Sequence, residues 1–132
     1  MFVIKTVIVL MAITTYIPRA GGINGGGVVT RSGVPPHEGM AACGWGYPFG
    51  TVFEIADKDM TQFDLPQVVV CTDRGGLVGN WNLDITLMGF SVEYDWVRAR
   101  AWGKRTQRVR VFSSMDEYHR AQLMVNDIHG PR

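Results

Sequence analysis

The stretch of sequence that decides the fold runs Cys71-Thr72-Asp73-Arg74-Gly75-Gly76-Leu77-Val78-Gly79-Asn80-Trp81-Asn82-Leu83-Asp84-Ile85. An apolar run, Val68-Val69-Val70, leads into it, and glycines separate its two aspartates, which lie eleven residues apart. This pattern predicts a strand, a tight glycine turn and a second strand, with each aspartate at a strand end. Catalytic residues are often carried by loops on a rigid sheet. Two carboxylates brought together there can differ in pKa, so that one stays protonated as an acid.

The composition predicts one globular domain over residues 1–132. Apolar residues make up 46% of the chain and charged residues 19%, which is enough for a single core. The 16 glycines and 6 prolines favour a turn-rich β protein. The formal net charge of +1 gives no general attraction to nucleic acid or to a membrane surface. We therefore expect a monomer with no nucleic-acid partner.

Two cysteines, Cys43 and Cys71, are too few for a disulfide framework or for a structural zinc site. They either form one bridge in an oxidising compartment or remain two buried thiols. Neither has a histidine close by in sequence to activate it as a nucleophile. The three histidines lie outside any metal-ligand spacing, so we expect no metal and no cofactor.

The apolar segment at residues 5–17 predicts a first β-strand in preference to a cleaved signal peptide. It is rich in β-branched residues, and Lys5 is its one basic residue. The nearest cut, after Ala20, would follow Pro18-Arg19, which is a poor site. The segment is also too short to span a membrane. The N-terminus therefore leaves the localisation unknown.

Further short strands separated by turns are predicted along the chain, with no internal repeat in the sequence. Alternation of apolar and polar residues indicates strands at 52–55 and 108–112, and an apolar run indicates one at 68–71. Shorter extended pieces are expected at 28–33 and 40–43. Residues 18–39 form a long Gly-rich excursion, and residues 56–66 an acidic connection. These short strands predict a small closed β-barrel over about residues 5–112.

One or two helices are expected to accompany the barrel. Residues 85–96 suggest a loop or a short helix packed on the barrel, and Gly103 is placed to cap a helix end. Ser114 and Glu117 have the spacing of a capping box and predict a final helix over about 114–128.

The order of the motifs along the chain resembles that of the three-aspartate (3D) domain. The motifs are Thr14-Thr15-Tyr16-Ile17-Pro18, Thr30-Arg31-Ser32-Gly33, Ala41-Ala42-Cys43, Pro48-Phe49-Gly50-Thr51, Asp73-Arg74-Gly75-Gly76 and Leu83-Asp84-Ile85. That domain is similar in turn to the barrel of membrane-bound lytic transglycosylase A and to rare lipoprotein A-like modules. The resemblance covers roughly residues 8–112. It implies a six-stranded double-psi β-barrel in a protein of the cell envelope or a secreted one.

The resemblance also assigns roles to the aspartates. Asp73 matches the second family aspartate, and Asp84 the third, which the family uses as its catalytic acid/base. Cys43 stands where the family has its first aspartate, and Leu77-Val78-Gly79 stands where the family has Ile-Lys-Gly. Because the first aspartate is expected to face the site, Cys43 is expected near Cys71, and we hypothesise that the two form a bridge.

The activity implied by the resemblance is that of a lytic transglycosylase acting on peptidoglycan glycan strands. Such an enzyme cleaves the bond between N-acetylmuramic acid and N-acetylglucosamine without water. Asp84 would protonate the glycosidic oxygen and then take a proton from the C6 hydroxyl, while Asp73 would raise the pKa of Asp84 or position the sugar. Hydroxyl, aromatic and turn residues complete the expected substrate-binding set, which consists of Tyr16, Thr30, Ser32, Thr72, Arg74, Gly75 and Trp81.

Other interpretations of the same residues stay open. Asp73 before Gly-Gly could simply be a turn residue that bonds its own backbone, and Asp84 could cap a helix. The whole chain could be a non-catalytic glycan-binding barrel or a phage structural component. The basic residues between 98 and 110 could form a nucleic-acid patch, but acidic residues flank them and Arg108 and Arg110 alternate along a strand, which indicates a solvated face.

Overall fold

Six strands close into a barrel in the computed structural model, which describes residues 7–18, 30–55, 59–89 and 91–129. The predicted fold class, mainly β with a closed six-stranded barrel and a C-terminal helix, is confirmed. The strands are β1 (Val7–Tyr16), β2 (Met40–Ala42), β3 (Val52–Ile55), β4 (Val68–Asp73), β5 (Asn82–Thr86) and β6 (Arg105–Phe112). The helices are α1 (Asp59–Gln62), α2 (Val92–Trp102) and α3 (Met115–His129).

The strand order around the barrel is β1-β5-β2-β4-β3-β6. The pairs β1–β5 and β2–β4 are parallel, and the other four pairs are antiparallel. If β1 is exchanged with β4, β2 with β5 and β3 with β6, the same six strand pairs result, and each keeps its parallel or antiparallel direction. The barrel is therefore built from two topologically equivalent halves, an arrangement consistent with a double-psi barrel.

The barrel is filled by apolar side chains from alternate positions of its strands. Ile13, Phe53, Leu83 and Ile85 have no solvent exposure and belong to one core cluster. Burying one such side chain stabilises the fold by about 2 kcal/mol. Trp102 of α2 joins the core and donates its indole N–H to the carbonyl of Ile13 at 3.0 Å, which fixes α2 against β1.

A buried ion pair ties α2 to the chain just before β2. The Arg98 guanidinium donates to both carboxylate oxygens of Glu38, at 2.8 and 3.0 Å, and to Asp95 at 2.7 Å. The other Glu38 contact is the backbone N–H of Met88, at 3.0 Å. Asp95 is fully buried, so removal of Arg98 would leave its carboxylate uncompensated in the interior. The pair therefore fixes where β2 begins.

Several predicted elements have different limits in the structure. The prediction of an extended segment at 28–33 is wrong for residues 30–33. These residues form a turn in which Gly33 donates its N–H to the Thr30 carbonyl. Residues 28–29 lie outside the described residues. The connection at 56–66 contains the one-turn helix α1, and β6 starts three residues earlier than predicted. Residues 85 and 86 belong to β5, so the helix of the 85–96 segment begins only at Val92.

The predicted helix caps are present. Gly103 ends α2 with φ of 65°, a backbone conformation that favours glycine, and Ser114 accepts from the N–H of Glu117 at the start of α3. The Glu117 carboxylate accepts the backbone N–H of Ser113 at 3.2 Å. In a capping box it would accept the N–H of Ser114, one residue later in the chain. No helix among the described residues has the length and apolar character needed to cross a membrane.

Cys43 and Cys71 form a disulfide that joins the end of β2 to β4, so the hypothesis of a bridge is confirmed. Both cysteines have no solvent exposure and lie in the main core cluster. The Arg74 guanidinium lies against the bridge, with Nη1 2.8 Å from the Cys43 sulfur. The disulfide thus covalently fixes the two parallel strands β2 and β4 at the level where Asp73 ends β4.

We expect reduction of this bridge to destabilise the fold. The two cysteines are 28 residues apart in sequence, and a loop of that size corresponds to a loss of about 3 to 4 kcal/mol in the free energy of unfolding. Urea denaturation of the oxidised and reduced chain, at equal protein concentration, measures this loss. A thiol titration of the unfolded, unreduced protein is the control, and two titratable thiols there would contradict the bridge.

Candidate active site

Four side chains form a row across four neighbouring strands of the barrel. Thr14 of β1 lies opposite Asp84 of β5, Asp84 lies opposite Ala42 of β2, and Ala42 lies opposite Asp73 of β4. Because neighbouring strands are about 4.8 Å apart, the two aspartates are separated by about 10 Å between their Cα atoms. Ala42, which has a small side chain, is the residue between them.

The row depends on an irregularity in β4. Ala41 pairs with Cys71, whereas Ala42 pairs with Asp73, so Thr72 is an extra residue on β4. With regular alternation, Asp73 would share the face of Cys71, which points into the core. The extra residue turns Asp73 onto the face of Ala42 and Asp84, as β-bulges commonly do beside functional sites.

Three members of the row, Asp84, Ala42 and Asp73, line a cleft of about 460 Å³. The turn at residues 30–36 makes one wall, and the Gly-rich turn after β4 makes the other. The residues that line the cleft are Tyr16, Pro18, Thr30, Arg31, Pro36, Ala42, Asp73, Arg74, Gly75 and Asp84. Both aspartates of the opening motif therefore face one concave site.

The Asp73 carboxylate is held by donors from two loops. Its Oδ1 accepts the backbone N–H groups of Arg31 and Arg74, each at 2.9 Å. Its Oδ2 accepts the Tyr16 hydroxyl at 3.3 Å. The interpretation of Asp73 as a residue that bonds its own turn is thus correct, and the same bonds tie the 30–36 turn to β4.

Asp84 has a different environment in the middle of β5. Burial raises the pKa of its carboxyl, the Thr14 hydroxyl donating to Oδ1 at 2.9 Å lowers it in part, and the charge of Asp73 raises it further. The net shift is upward, so the carboxyl keeps its proton to a higher pH than an ordinary aspartate. Asp84 is not a helix cap, because it lies inside a strand.

Tyr16 of β1 connects β5, the strand that carries Asp84, to Asp73 at the end of β4. Its hydroxyl accepts from Thr86 at 2.9 Å and donates to Asp73. Burial raises the pKa of this phenol, and the two nearby aspartate charges raise it as well. The hydroxyl therefore stays protonated and acts as a fixed donor at the floor of the cleft.

The other predicted substrate-binding residues divide into two groups. Thr30, Arg74 and Gly75 line the cleft together with Tyr16, whereas Ser32, Thr72 and Trp81 are not among its lining residues. The Thr30 hydroxyl is engaged by the Val34 carbonyl at 2.7 Å and by the Ser32 hydroxyl at 2.9 Å.

Two of the residues outside the cleft differ in exposure. Thr72 is buried by the β4 irregularity, and among the described residues its hydroxyl has no hydrogen-bond partner. Trp81 is 67% exposed on the neighbouring loop. Trp81 therefore can meet a ligand only beyond the edge of the cleft, and Thr72 cannot meet one at all in this conformation.

Four residues of the site were not singled out from the sequence as site residues. The Thr14 hydroxyl donates to Asp84, and the Thr86 hydroxyl donates to Tyr16. Ala42 separates the two aspartates. The backbone N–H of Arg31 donates to Asp73. Polar residues at alternate positions of two apolar strands were the available signal for both threonines. Among the described residues, no three His, Cys, Asp or Glu side chains are grouped so as to hold a metal ion.

Comparisons with known proteins give a limited likeness. No protein-family model matches the chain, and no curated protein matches it. Among solved structures, the chain is similar to MltA from E. coli, with a TM-score of 0.45, 22% identity and coverage of 64% of this chain and 27% of that one. An apo form of an E. coli lytic transglycosylase MltA variant gives a TM-score of 0.45 and 21% identity, over 64% of this chain and 26% of the other. The chain thus spans about a quarter of these proteins, and a likeness at this level does not bear on the chemistry.

We expect the Asp84 carboxylate to destabilise the fold above its own pKa. Since the folded-state pKa is raised, the folded protein binds more protons than the unfolded chain between the two pKa values, and stability falls as pH rises through that window. Asp84→Asn keeps an acceptor for Thr14 and removes the charge. It should raise Tm relative to wild type at pH 7 and lose that advantage at pH 3. Thermal unfolding at the two pH values measures the difference, and a lower Tm for the variant at pH 7 would contradict it.

Proposed function

We propose that this protein is a lytic transglycosylase-like enzyme that cleaves peptidoglycan glycan strands, with Asp84 as its acid/base. The observation that carries the proposal is the pairing of two unlike carboxyls in one cleft. Asp84 is buried with a raised pKa, and Asp73 accepts two backbone N–H groups. Environments that differ in this way are typical of a pair in which one group is the acid and the other stays ionised.

The proposed reaction needs one group to serve twice. Protonated Asp84 gives its proton to the glycosidic oxygen between N-acetylmuramic acid and N-acetylglucosamine, and the C1–O bond breaks. The Asp84 carboxylate then takes the proton of the C6 hydroxyl, whose oxygen bonds to C1 and closes a 1,6-anhydro ring. The proton balance closes on the same carboxyl, and no water is consumed.

Asp73 and Tyr16 support this cycle in the proposal. The fixed negative charge of Asp73 favours protonation of Asp84 and would stabilise positive charge that develops at C1 when the bond breaks. The Tyr16 hydroxyl stays protonated and fixes one oxygen of Asp73. A cell-wall substrate also agrees with the disulfide, since disulfides persist in oxidising compartments outside the cytoplasm.

A non-catalytic glycan-binding barrel is the second candidate. The observation that favours it is Cys43, which stands where the resemblance expects a carboxylate and which is committed to a disulfide. The chain then keeps two of the three aspartates that the resemblance expects, and Cys43 itself lies in the core and not in the cleft. A phage structural barrel is a further form of this candidate.

Asp84→Asn is expected to reduce the release of 1,6-anhydro-muropeptides from purified cell walls by about 10² to 10⁴-fold, because the variant cannot donate or accept the proton. Mass spectrometry of the soluble products measures the release. Asp116→Asn, at an exposed aspartate in the first turn of α3, is the matched control and should leave it unchanged. Equal release from the Asp84 variant and wild type would exclude Asp84 as the acid. Binding of walls by wild type without any release would favour the glycan-binding barrel.

The pH dependence of release should shift in opposite directions in two variants. Asp73→Asn removes a charge that raises the pKa of Asp84, so activity should be lost at a lower pH than in wild type. Thr14→Val removes a bond that lowers that pKa, so activity should persist to a higher pH. The midpoint of the alkaline limb of the pH–rate profile measures both shifts. If the midpoints were equal, or if both variants shifted the midpoint in the same direction, the alkaline limb would not report the titration of Asp84.

A further inference from the structure

Two loops next to the cleft carry large apolar side chains that the fold leaves exposed. Residues 44–50 lie between β2 and β3, and residues 74–81 link β4 to β5; together we call them the apolar rim. Leu77 is 98% exposed, Trp45 71% and Trp81 67%. Single exposed apolar residues are normal on a soluble protein, but a group of them on neighbouring loops marks a contact with another molecule.

Leu77 is held at the tip of a tight turn. The N–H of Val78 donates to the carbonyl of Gly75 at 3.1 Å, so residues 75–78 form a β-turn with Leu77 in its third position. The two residues before it are glycines, which have no side chains that could cover it. The leucine therefore projects from the surface and does not line a groove.

The two loops of the apolar rim are fixed against each other. Gly46 donates its N–H to the Asn80 side chain at 2.8 Å. A Cβ added at Gly44 would lie 2.4 Å from the same Asn80 oxygen, so glycine at this position allows the loops to approach this closely. Trp45 follows Gly44 and Trp81 follows Asn80 in the chain. The exposed side chains are therefore carried by one rigid pair of loops.

The charges at the apolar rim are positive. Arg74 is the one charged residue in these two loops, and its guanidinium lies 5.0 Å from the Trp45 ring centroid. The Arg31 guanidinium lies 5.5 Å from the same centroid. Within the described part of the chain, neither guanidinium forms an ion pair with a carboxylate. Asp73 and Asp84 face the cleft. Cations beside exposed apolar side chains are complementary to anionic groups at the edge of an apolar phase.

We infer that the apolar rim is a contact surface for a lipid bilayer that contains anionic lipids. Leu77 enters the acyl region, Trp81 lies at the level of the headgroups, and the arginines meet lipid phosphates. A protruding side chain would need a matching pocket in a folded partner, whereas a fluid bilayer accepts it without one. This geometry favours a bilayer as the occupant.

The contact is local and peripheral, and it is independent of the chemistry proposed for Asp84. The formal net charge of the whole chain is +1, so attraction to a membrane comes from the rim and not from the protein as a whole. Gly75, in the turn that carries Leu77, also lines the cleft. The bound protein therefore holds its cleft next to the membrane surface.

Co-sedimentation with vesicles tests the inference. One set of vesicles is pure phosphatidylcholine, and the other also contains phosphatidylglycerol. We expect about tenfold tighter binding to the anionic vesicles at low salt, and a smaller difference at high salt. Leu77→Ser should weaken binding to both sets by about tenfold, because the burial of the leucine side chain in the bilayer is lost. Leu123→Ser, at a leucine of α3 that is 64% exposed, is the matched control and should bind like wild type.

Quenching of tryptophan fluorescence by lipids brominated on their acyl chains identifies the surface that makes the contact. Trp81→Phe should lower the quenching, whereas Trp96→Phe, at an exposed tryptophan of α2, should leave it unchanged.

Three results would overturn the membrane contact. They are no binding of wild type to either set of vesicles, equal binding of Leu77→Ser and Leu123→Ser, and a loss of cell-wall binding in Leu77→Ser with vesicle binding unchanged. The last result would assign the apolar rim to the glycan. Release of 1,6-anhydro products from lipid-free walls is measured in parallel and should be the same for Leu77→Ser and wild type, so failure of one proposal leaves the other standing.

Discussion

The candidate site depends on one extra residue in β4. Thr72 shifts the register between β2 and β4, and this shift moves Asp73 from the core face to the face that carries Asp84. Cys43 and Cys71 flank the same point and are joined by the disulfide, so the irregular pairing is covalently fixed. A buried hydroxyl without a partner among the described residues is the local cost, of about 1 to 3 kcal/mol. Such a defect is usually retained where it positions a functional group.

The two aspartates differ because of what each strand places next to them. Asp73 is at a strand end, where the backbone N–H groups of two turns are free to bond a carboxylate. Asp84 is inside a strand, where the backbone is paired with neighbouring strands and one side-chain hydroxyl is its donor. Fewer donors and more burial leave Asp84 with the raised pKa. The position of Asp84 in the sheet thus accounts for the raised pKa of its carboxyl.

The strands of the barrel and the two aspartates could be predicted because each leaves a pattern among neighbouring residues of the sequence. Strand alternation, glycine turns and the spacing between Asp73 and Asp84 can be recognised in the sequence alone. The site residues that were missed, such as Thr14 and Thr86, reach it through pairing of strands about 70 positions apart. The two-halved topology was equally hidden, because equivalent strands share pairing directions and not residues. Register shifts of one residue, as at Thr72, leave no mark on apolar alternation.

Cys43 stands where the resemblance expects an aspartate, but it does not line the cleft. Ala42 is the residue of β2 that lines the cleft, whereas Cys43 is fully buried in the core and bonded to Cys71. Position 43 of this backbone lies in the core beside the Arg74 guanidinium and does not line the cleft. Cys43 therefore does not remove a group that would otherwise reach the ligand. Its disulfide covalently joins β2 to β4, the strand pair that carries Asp73.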